Sequence, residues 1–234
     1  MKMKRALILP TLFLLSGLVL AQERTSFTVR IENVSVGDTL KTMSGSVPVP
    51  LAPGNWVLHK DVAPLFSRNE VDRGQGLENN AEDGNPSVLE LYLAETMMAG
   101  TSGVFNTPVG AEGPGPLLPG GVYEFSFEAA PSYALSFATM FVQSNDWFFA
   151  PAESGIALFN GNGDPVSGDV TSQVLLWNAG TEVDEEPGTG SYQAPRQPGP
   201  NSGVNEEGVV RLLAGDEAPH LTGPVIRVTI TINN

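Results

Sequence analysis

The chain has 234 residues, a formal net charge of −14 and no cysteine. The negative charge disfavours nucleic acid and anionic membranes as partners, and the lack of Cys excludes disulfides, thiolate zinc sites, redox motifs and Cys nucleophiles. A hydrophobic fraction of 41% with 11 Phe is enough for a core, whereas 26 Gly and 19 Pro predict that long connections divide it into short elements.

The N-terminus has the pattern of an export signal. Basic residues at the start precede an apolar run from Ala6 to Leu20, which is shorter than the roughly 20 residues of a spanning helix. The run ends at Val19-Leu20-Ala21, with small residues at the positions that a signal peptidase reads. We therefore predict a cleaved signal peptide over 1–21, a mature chain over 22–234, and a secreted or periplasmic location. An uncleaved membrane anchor is the alternative.

Apolar residues occupy alternate positions in several segments. In 26–34, Phe27, Val29 and Ile31 face one way, and 122–128 and 226–232 have the same period of two. This pattern predicts strands with one solvated face, as in antiparallel sheets. Further predicted strands lie at 134–142, 155–159, 173–177 and 208–213. Together they predict an all-β fold, an antiparallel β-sandwich with a few short helices in the connections, forming one domain.

Helical spacing is confined to one region of the sequence. It predicts short helices over 61–66, 76–81 and 87–96, the last preceded by Pro86, which is tolerated at a helix start. The segments 102–121 and 184–207 are rich in Gly, Pro and acidic residues, which predicts long surface loops. The second is too polar for a core element, and part of it is expected to be mobile.

The sequence contains no recognisable catalytic motif. It has no Gly-x-Ser-x-Gly elbow, no His-Glu-x-x-His and no glycine-rich phosphate loop, and its only histidines are His59 and His220. We therefore predict that the protein is not an enzyme and has no catalytic residues. A pair of carboxylates suited to glycoside hydrolysis stays open, since 26 acidic residues offer many pairs.

Two acidic turns follow predicted strands. Residues 144–149 come just after the strand that ends near Val142, and residues 176–185 include Asn178 and Glu182. Calcium takes about six to eight oxygen ligands from carboxylates, amides, carbonyls and water. Asp146, Asn178 and Glu182 could supply such oxygens from neighbouring loops, with Gly180 allowing the second loop to fold back. Ordinary solvated turn acids are the alternative.

A third acidic segment, 160–169, places oxygens at alternate positions as a calcium loop does. Its twelfth position is Thr171, where such a loop needs a bidentate Glu. The Asn160-Gly and Gly-Asp164-Pro spacing equally specifies a hairpin turn, which is our prediction for this segment.

Several short motifs together resemble the spondin domain, a family found in F-spondin, mindin and bacterial exported proteins. The principal matches are Phe137-Ala-Thr-Met140, Ser144-Asn-Asp-Trp147 and Leu176-Trp-Asn-Ala-Gly-Thr-Glu182. Secondary matches are Trp56-Val-Leu-His59, Gly76-Leu-Glu, Ala81-Glu-Asp-Gly84, Gly103-Val-Phe105 and Leu118-Pro-Gly-Gly121. The matches extend over most of the predicted mature chain.

The resemblance implies a β-sandwich with one calcium ion held by Asp146, Asn178 and Glu182. The family usually has Asp where this chain has Asn178, and its animal members have Asp in place of Glu182. An amide in place of a carboxylate lowers the charge of the ligand set, which weakens calcium binding. The absence of Cys differs from the disulfide-bearing animal domains and points to a bacterial branch. Animal relatives act as matrix or recognition proteins, which implies an adhesive role.

The sequence therefore favours a calcium-associated binding or adhesion module, with a structural metal and an extracellular protein or glycan as partner. A secreted hydrolase or carbohydrate-active protein with an acidic cleft is the alternative, and a purely structural envelope or matrix component is a third possibility. Trp56, Trp147 and Trp177 would stack on sugars if exposed, but we expect them to pack in the core.

Overall fold

The computed structural model describes residues 23–60, 63–214, 221 and 223–233, so the predicted signal peptide lies outside the described residues. The helices are α1 (Leu77–Asp83) and α2 (Ser87–Thr96), and a 3-10 turn covers Thr171–Gln173. The strands are β1 (Thr25–Asn33), β2 (Leu40–Thr42), β3 (Gly45–Val47), β4 (Leu51–His59), β5 (Ser102–Phe105), β6 (Val122–Ala129), β7 (Ala134–Phe141), β8 (Trp147–Pro151), β9 (Ile156–Ala157), β10 (Gly168–Asp169), β11 (Val174–Asn178), β12 (Arg211–Leu212) and β13 (Ile226–Ile232).

The strands form two main sheets. A 4-stranded sheet has the order β10-β13-β1-β6, and a 7-stranded sheet has the order β12-β11-β8-β7-β4-β5 with β9 paired to β7. β2 and β3 form a separate hairpin. All these pairings are antiparallel. The predicted antiparallel, all-β class with short helices in the connections is thus confirmed.

The first core cluster fills the space between the two sheets. The alternation predicted for the first strand is present in β1, whose Phe27, Val29 and Ile31 are fully buried. They pack with Leu135 and Phe137 of β7, which belongs to the other sheet. Full burial of such side chains stabilises the fold by about 1.5–3 kcal/mol each, so this cluster is what joins the sheets.

β7 lacks a clean alternation because both of its faces are covered. All of its residues are buried. Phe137 points into the space between the sheets, whereas Ala138 belongs to a second cluster that includes Leu77 and Ala81 of α1. The helices therefore cover the outer face of the larger sheet, and α1 packs on β7 and β8.

The structure corrects the predicted helix over 61–66. Its described residues, 63–66, form bends instead, since Pro64 cannot donate a helical hydrogen bond. The side chain of Gln75 donates to the carbonyls of Pro64 and Leu65, which holds this irregular backbone. No helix in the described ranges is long and apolar enough to cross a membrane.

Candidate metal centre

The candidate centre lies where β8 and β11 of the larger sheet meet. β8 begins at Trp147, β11 ends at Asn178, and these two residues pair across the ladder. Asp146, one residue before β8, therefore lies beside the turn that follows β11, and its carbonyl accepts the N–H of Ala179 at 3.2 Å. The pairing of β8 with β11 therefore brings the two acidic turns, 144–149 and 176–185, next to each other.

Asp146 is fully buried, with an exposed fraction of 0%. Its Oδ2 accepts the backbone N–H of Thr181 at 2.9 Å and that of Glu182 at 3.3 Å. Its Oδ1 is also buried and has no hydrogen-bond partner. Burial raises the pKa of Asp146 to about 7, although the hydrogen bonds from the two N–H groups act in the opposite direction.

Glu182 enters the centre from the second turn and has an exposed fraction of 3%. Its backbone is held by a bridge to Asn205, and its Oε1 is buried without a hydrogen-bond partner. Burial, and then the charge of Asp146, raise the pKa of Glu182 to about 7. Solvated turn acids, the alternative left open by the sequence, are therefore the wrong description of Asp146 and Glu182.

Asn178 lies in the same place, where its amide holds the turn. Its Oδ1 accepts the N–H of Gly180 at 2.7 Å, and its Nδ2 donates to Asp184 at 3.0 Å. Gly180 has a φ of 72°, and a β-carbon there would lie 2.5 Å from the backbone of Val209. Glycine is therefore required where the chain folds back. One lone pair on Oδ1 of Asn178 is left for a further contact.

The residues present have the chemistry that calcium needs. Asp146 and Glu182 each offer a buried carboxylate oxygen without a partner, and hard oxygens are the ligands that calcium prefers. Within the described ranges, no group of three or more His, Asp or Glu side chains is arranged so that it could hold a metal ion. An ion here would draw its remaining ligands from the Asn178 amide, backbone carbonyls or water.

One buried acid was missed by the sequence reasoning. Glu82, in the last turn of α1, has an exposed fraction of 3%. Burial raises the pKa of Glu82 to about 8, a hydrogen bond with the Thr181 side chain lowers it, and the charge of Glu182 raises it. The helical spacing of the sequence predicts which face of α1 carries Glu82, but it does not predict how much of that face is buried. No signal in the sequence could therefore have shown that Glu82 is buried.

The segment 184–207, predicted as a long surface loop, packs against the centre. Gln193 is fully buried, and the Arg196 guanidinium donates to Gln143 at 3.1 Å and to the Gly190 carbonyl at 2.7 Å. The Glu185 carboxylate accepts the N–H of Tyr192 at 2.7 Å. Side chains of this polar segment satisfy several of its own backbone groups.

The hairpin predicted over 160–169 is confirmed as a turn. The Asn160 side-chain oxygen accepts the N–H groups of Asn162 at 2.9 Å and Asp164 at 3.0 Å. Phe159 and Pro165 pair across its base. The oxygen of Asn160 is thus used to close the turn.

A Ser–His pair is the second feature that the sequence did not reveal. Nε2 of His59, at the end of β4, lies 2.8 Å from the hydroxyl of Ser136 on β7. The two residues have exposed fractions of only 3% and 5%. Neighbouring strands bring them together, a juxtaposition that the sequence alone does not show. A nucleophile needs access to its substrate, and the Ser136 hydroxyl has no such access because the residue is buried.

The three tryptophans pack in the core as expected, with exposed fractions of 7%, 4% and 2% for Trp56, Trp147 and Trp177. The indole N–H of Trp147 donates to Asp184 at 2.6 Å, and that of Trp177 donates to the Ala150 carbonyl at 3.1 Å. Trp147 and Trp177 support the turns of the centre, and neither presents a face for stacking on a sugar.

Comparison with known proteins does not assign a family. No protein-family model matches the sequence, and a search of curated proteins finds no match. The likeness to spondin domains rests on the sequence motifs, and what it implies about metal and partners is a proposal.

Proposed function

We propose that this chain is an exported binding module of the spondin type, in which a calcium ion joins two turns at one end of a β-sandwich. The ion is structural, and the module recognises an extracellular protein or glycan. Asp146 and Glu182 are its carboxylate ligands, and Asn178 supplies an amide oxygen or orients the turn.

The observation that carries this proposal is the pair of buried, unpartnered oxygens on Asp146 and Glu182. A buried carboxylate without a counter-charge is costly, and the cost grows when a second carboxylate is close. A divalent cation between the two turns would remove both penalties. The spondin-like motifs support calcium as that cation, since they include the same three residues.

The exported location and a binding role are supported by separate observations. The basic start, the apolar run and the small residues before Gln22 favour secretion or transport to the periplasm. The absence of a catalytic motif and the burial of Ser136 favour binding over hydrolysis. The high negative charge favours a partner that is not an anionic polymer.

A calcium titration of the mature protein tests the proposal. A ligand that binds only the folded state stabilises it by about 2.7 kcal/mol at a hundredfold excess over Kd. With an amide at position 178 we expect a weak site, with a Kd on the order of 10⁻⁴–10⁻³ M. Millimolar calcium should therefore raise the melting temperature of the wild-type protein, and calorimetric titration should give the same Kd.

Asp146→Asn keeps the shape of the side chain and should remove most of the rise in melting temperature. Asp164→Asn is the matched control. Asp164 is an exposed acid in the 160–169 hairpin, whose side-chain oxygens are spaced as in a calcium loop. This variant should respond to calcium as the wild type does. A wild-type melting temperature that is the same in EDTA and in millimolar calcium would contradict the proposal.

A further inference from the structure

We infer that an apolar pocket with Asp83 in its wall is where the module binds a protein partner. The partner inserts one apolar side chain into the pocket and places a Lys or Arg side chain against the Asp83 carboxylate. This inference rests on the proposed function and deepens it, because it selects a protein rather than a glycan as the extracellular partner. The pocket shares no lining residue with the three proposed calcium ligands.

The pocket has a volume of about 360 Å³, within the range of about 300–1,000 Å³ that is typical of ligand sites. It lies where the start of β4, the end of α1, the end of β7 and two loops meet. The residues that these elements contribute include Ala52, Pro53, Asp83, Met140, Val142 and Pro195. A pocket of this size accommodates a side chain of a partner, and its walls come from distant parts of the chain.

A shift in strand register shapes the wall that β4 contributes. The pairing of β4 with β7 is irregular between Leu51 and Gly54, so Ala52 and Pro53 leave the regular ladder. Such bulges occur often beside binding sites, where they redirect the backbone. The Thr139 hydroxyl donates to the Ala52 carbonyl at 2.7 Å, which holds this irregular backbone in one position.

The wall formed by the loop 184–207 is tied to the rest of the fold by side-chain hydrogen bonds. Oδ1 of Asp83 accepts the side-chain N–H of Gln197 at 2.9 Å and the backbone N–H of Asn201 at 3.3 Å. The Arg196 guanidinium donates to Gln143, just beyond the end of β7, at 3.1 Å. Both walls are therefore formed before a partner arrives, and a preformed site loses less conformational entropy on binding.

Asp83 gives the pocket its charge. Among the described residues, no basic side chain forms an ion pair with Asp83, and Oδ2 accepts no hydrogen bond from any of them. Two hydrogen bonds to Oδ1 thus hold the carboxylate, and Oδ2 is left for a donor from another molecule. The net charge of −14 adds to the attraction for a basic group.

The pocket lining suits an apolar side chain better than a sugar. Met140 and Ala52 are buried, with exposed fractions of 0% and 4%, and Met140 has a flexible side chain that adapts to different shapes. Among the described residues that line the pocket, there is no aromatic ring on which a sugar could stack, and no hydroxyl or amide side chain. An apolar group beside a basic one matches what the lining offers.

Capped dipeptides test the inference by NMR of the methionine methyl groups, with calcium present. Acetyl-Leu-Arg-amide should shift the Met140 methyl signal in a saturable way, with a Kd on the order of 1 mM. The methyl signal of Met43, which is 95% exposed, should not move. Acetyl-Leu-Glu-amide reverses the charge and acetyl-Ser-Arg-amide removes the apolar side chain, so each should bind at least about fivefold more weakly.

Two variants separate the charge from the cavity. Asp83→Asn should lose the preference for acetyl-Leu-Arg-amide over acetyl-Leu-Glu-amide, because it keeps the shape of the side chain and removes its charge. Ala194→Leu places a larger side chain in the wall and should abolish the Met140 shift with all three peptides. Asp164→Asn, an exposed acid far from the pocket in sequence, is the control and should keep the wild-type Kd.

The outcomes distinguish this inference from the proposed function. Equal binding of the three peptides, or an unchanged charge preference in Asp83→Asn, would overturn the inference. A saturable Met140 shift with cellobiose but not with acetyl-Leu-Arg-amide would also overturn it and assign the pocket to a glycan. No Met140 shift with any probe, while calcium still raises the melting temperature, would overturn the pocket and leave the calcium site standing. Peptide binding by a protein that does not respond to calcium would support the pocket and overturn the calcium site.

Discussion

Glu182 occupies the space in which a side chain on Gly203 would lie. A β-carbon built on Gly203 would be 0.9 Å from Oε1 of Glu182. The loop from Asp184 to Glu207 therefore reaches the centre with a residue that has no side chain, and its backbone covers the carboxylate. This contact explains how an acid in a surface turn becomes almost fully buried.

Gly203→Ala should displace the Glu182 carboxylate and weaken calcium binding. Inserting one methyl group into a packed site costs about 1–3 kcal/mol, so the melting temperature in EDTA should also fall. Gly199→Ala is the control, because a β-carbon at Gly199 has no atom within 4 Å. Calcium titration and thermal melting of both variants test this, and equal effects at Gly199 and Gly203 would contradict it.

Asn178→Asp should destabilise the calcium-free protein and increase its response to calcium. The substitution removes the donor that bonds Asp184 at 3.0 Å and places two carboxylates against each other. A bound ion would relieve that repulsion, and an added charged ligand shifts the response to lower calcium. Melting curves across a calcium series test both effects. A higher melting temperature than the wild type in EDTA would count against this account of Asn178.

Much of the fold could be predicted because the strands of the smaller sheet have one solvated face. In β1 and β13 buried residues alternate with more exposed ones, so the sequence shows a period of two in both strands. β4 and β8 lack alternation because nearly all of their residues are buried, as in β7, and unlike β7 they were not predicted. The helix predicted over 61–66 was wrong because Pro64 lies inside its apolar pattern.

The candidate site could be predicted only where its residues lie in turns next to strands. Asp146 and Asn178 flank a strand pairing, so the order of strands brings them together. Glu82 comes from α1, and nothing in the sequence spacing of that helix predicts that the Glu82 side chain is buried. His59 and Ser136 likewise meet across two strands whose pairing is a property of the tertiary structure.

The pair of His59 and Ser136 should be structural. Because both side chains are buried, a fluorophosphonate probe should leave Ser136 unlabelled, and common ester substrates should not turn over. Ser136→Ala should lower the free energy of unfolding by about 1–3 kcal/mol, since it removes a buried hydrogen bond at 2.8 Å. Mass spectrometry after labelling and denaturant unfolding test the two parts. Labelling at Ser136 that the alanine variant abolishes would instead support the hydrolase alternative.

The stability of the calcium-free protein should decrease as the pH rises from 5 to 8. Carboxyl groups in an unfolded chain titrate near pH 4. In the folded protein, burial raises the pKa of Asp146 and Glu182 to about 7 and that of Glu82 to about 8. Between these limits the folded state binds more protons than the unfolded state, so raising the pH favours unfolding.

Calcium should oppose this decrease, because a bound cation neutralises the same carboxylates once their protons have left. We therefore expect the melting temperature in EDTA to fall from pH 5 to pH 8, and the fall to be smaller in millimolar calcium. Asp146→Asn removes one titrating group and should flatten the EDTA curve, whereas Asp164→Asn should not. The measurement is a set of melting curves at fixed ionic strength, with and without calcium. A melting temperature in EDTA that rises with pH over this range would show that the buried acids are ionised and satisfied without a cation.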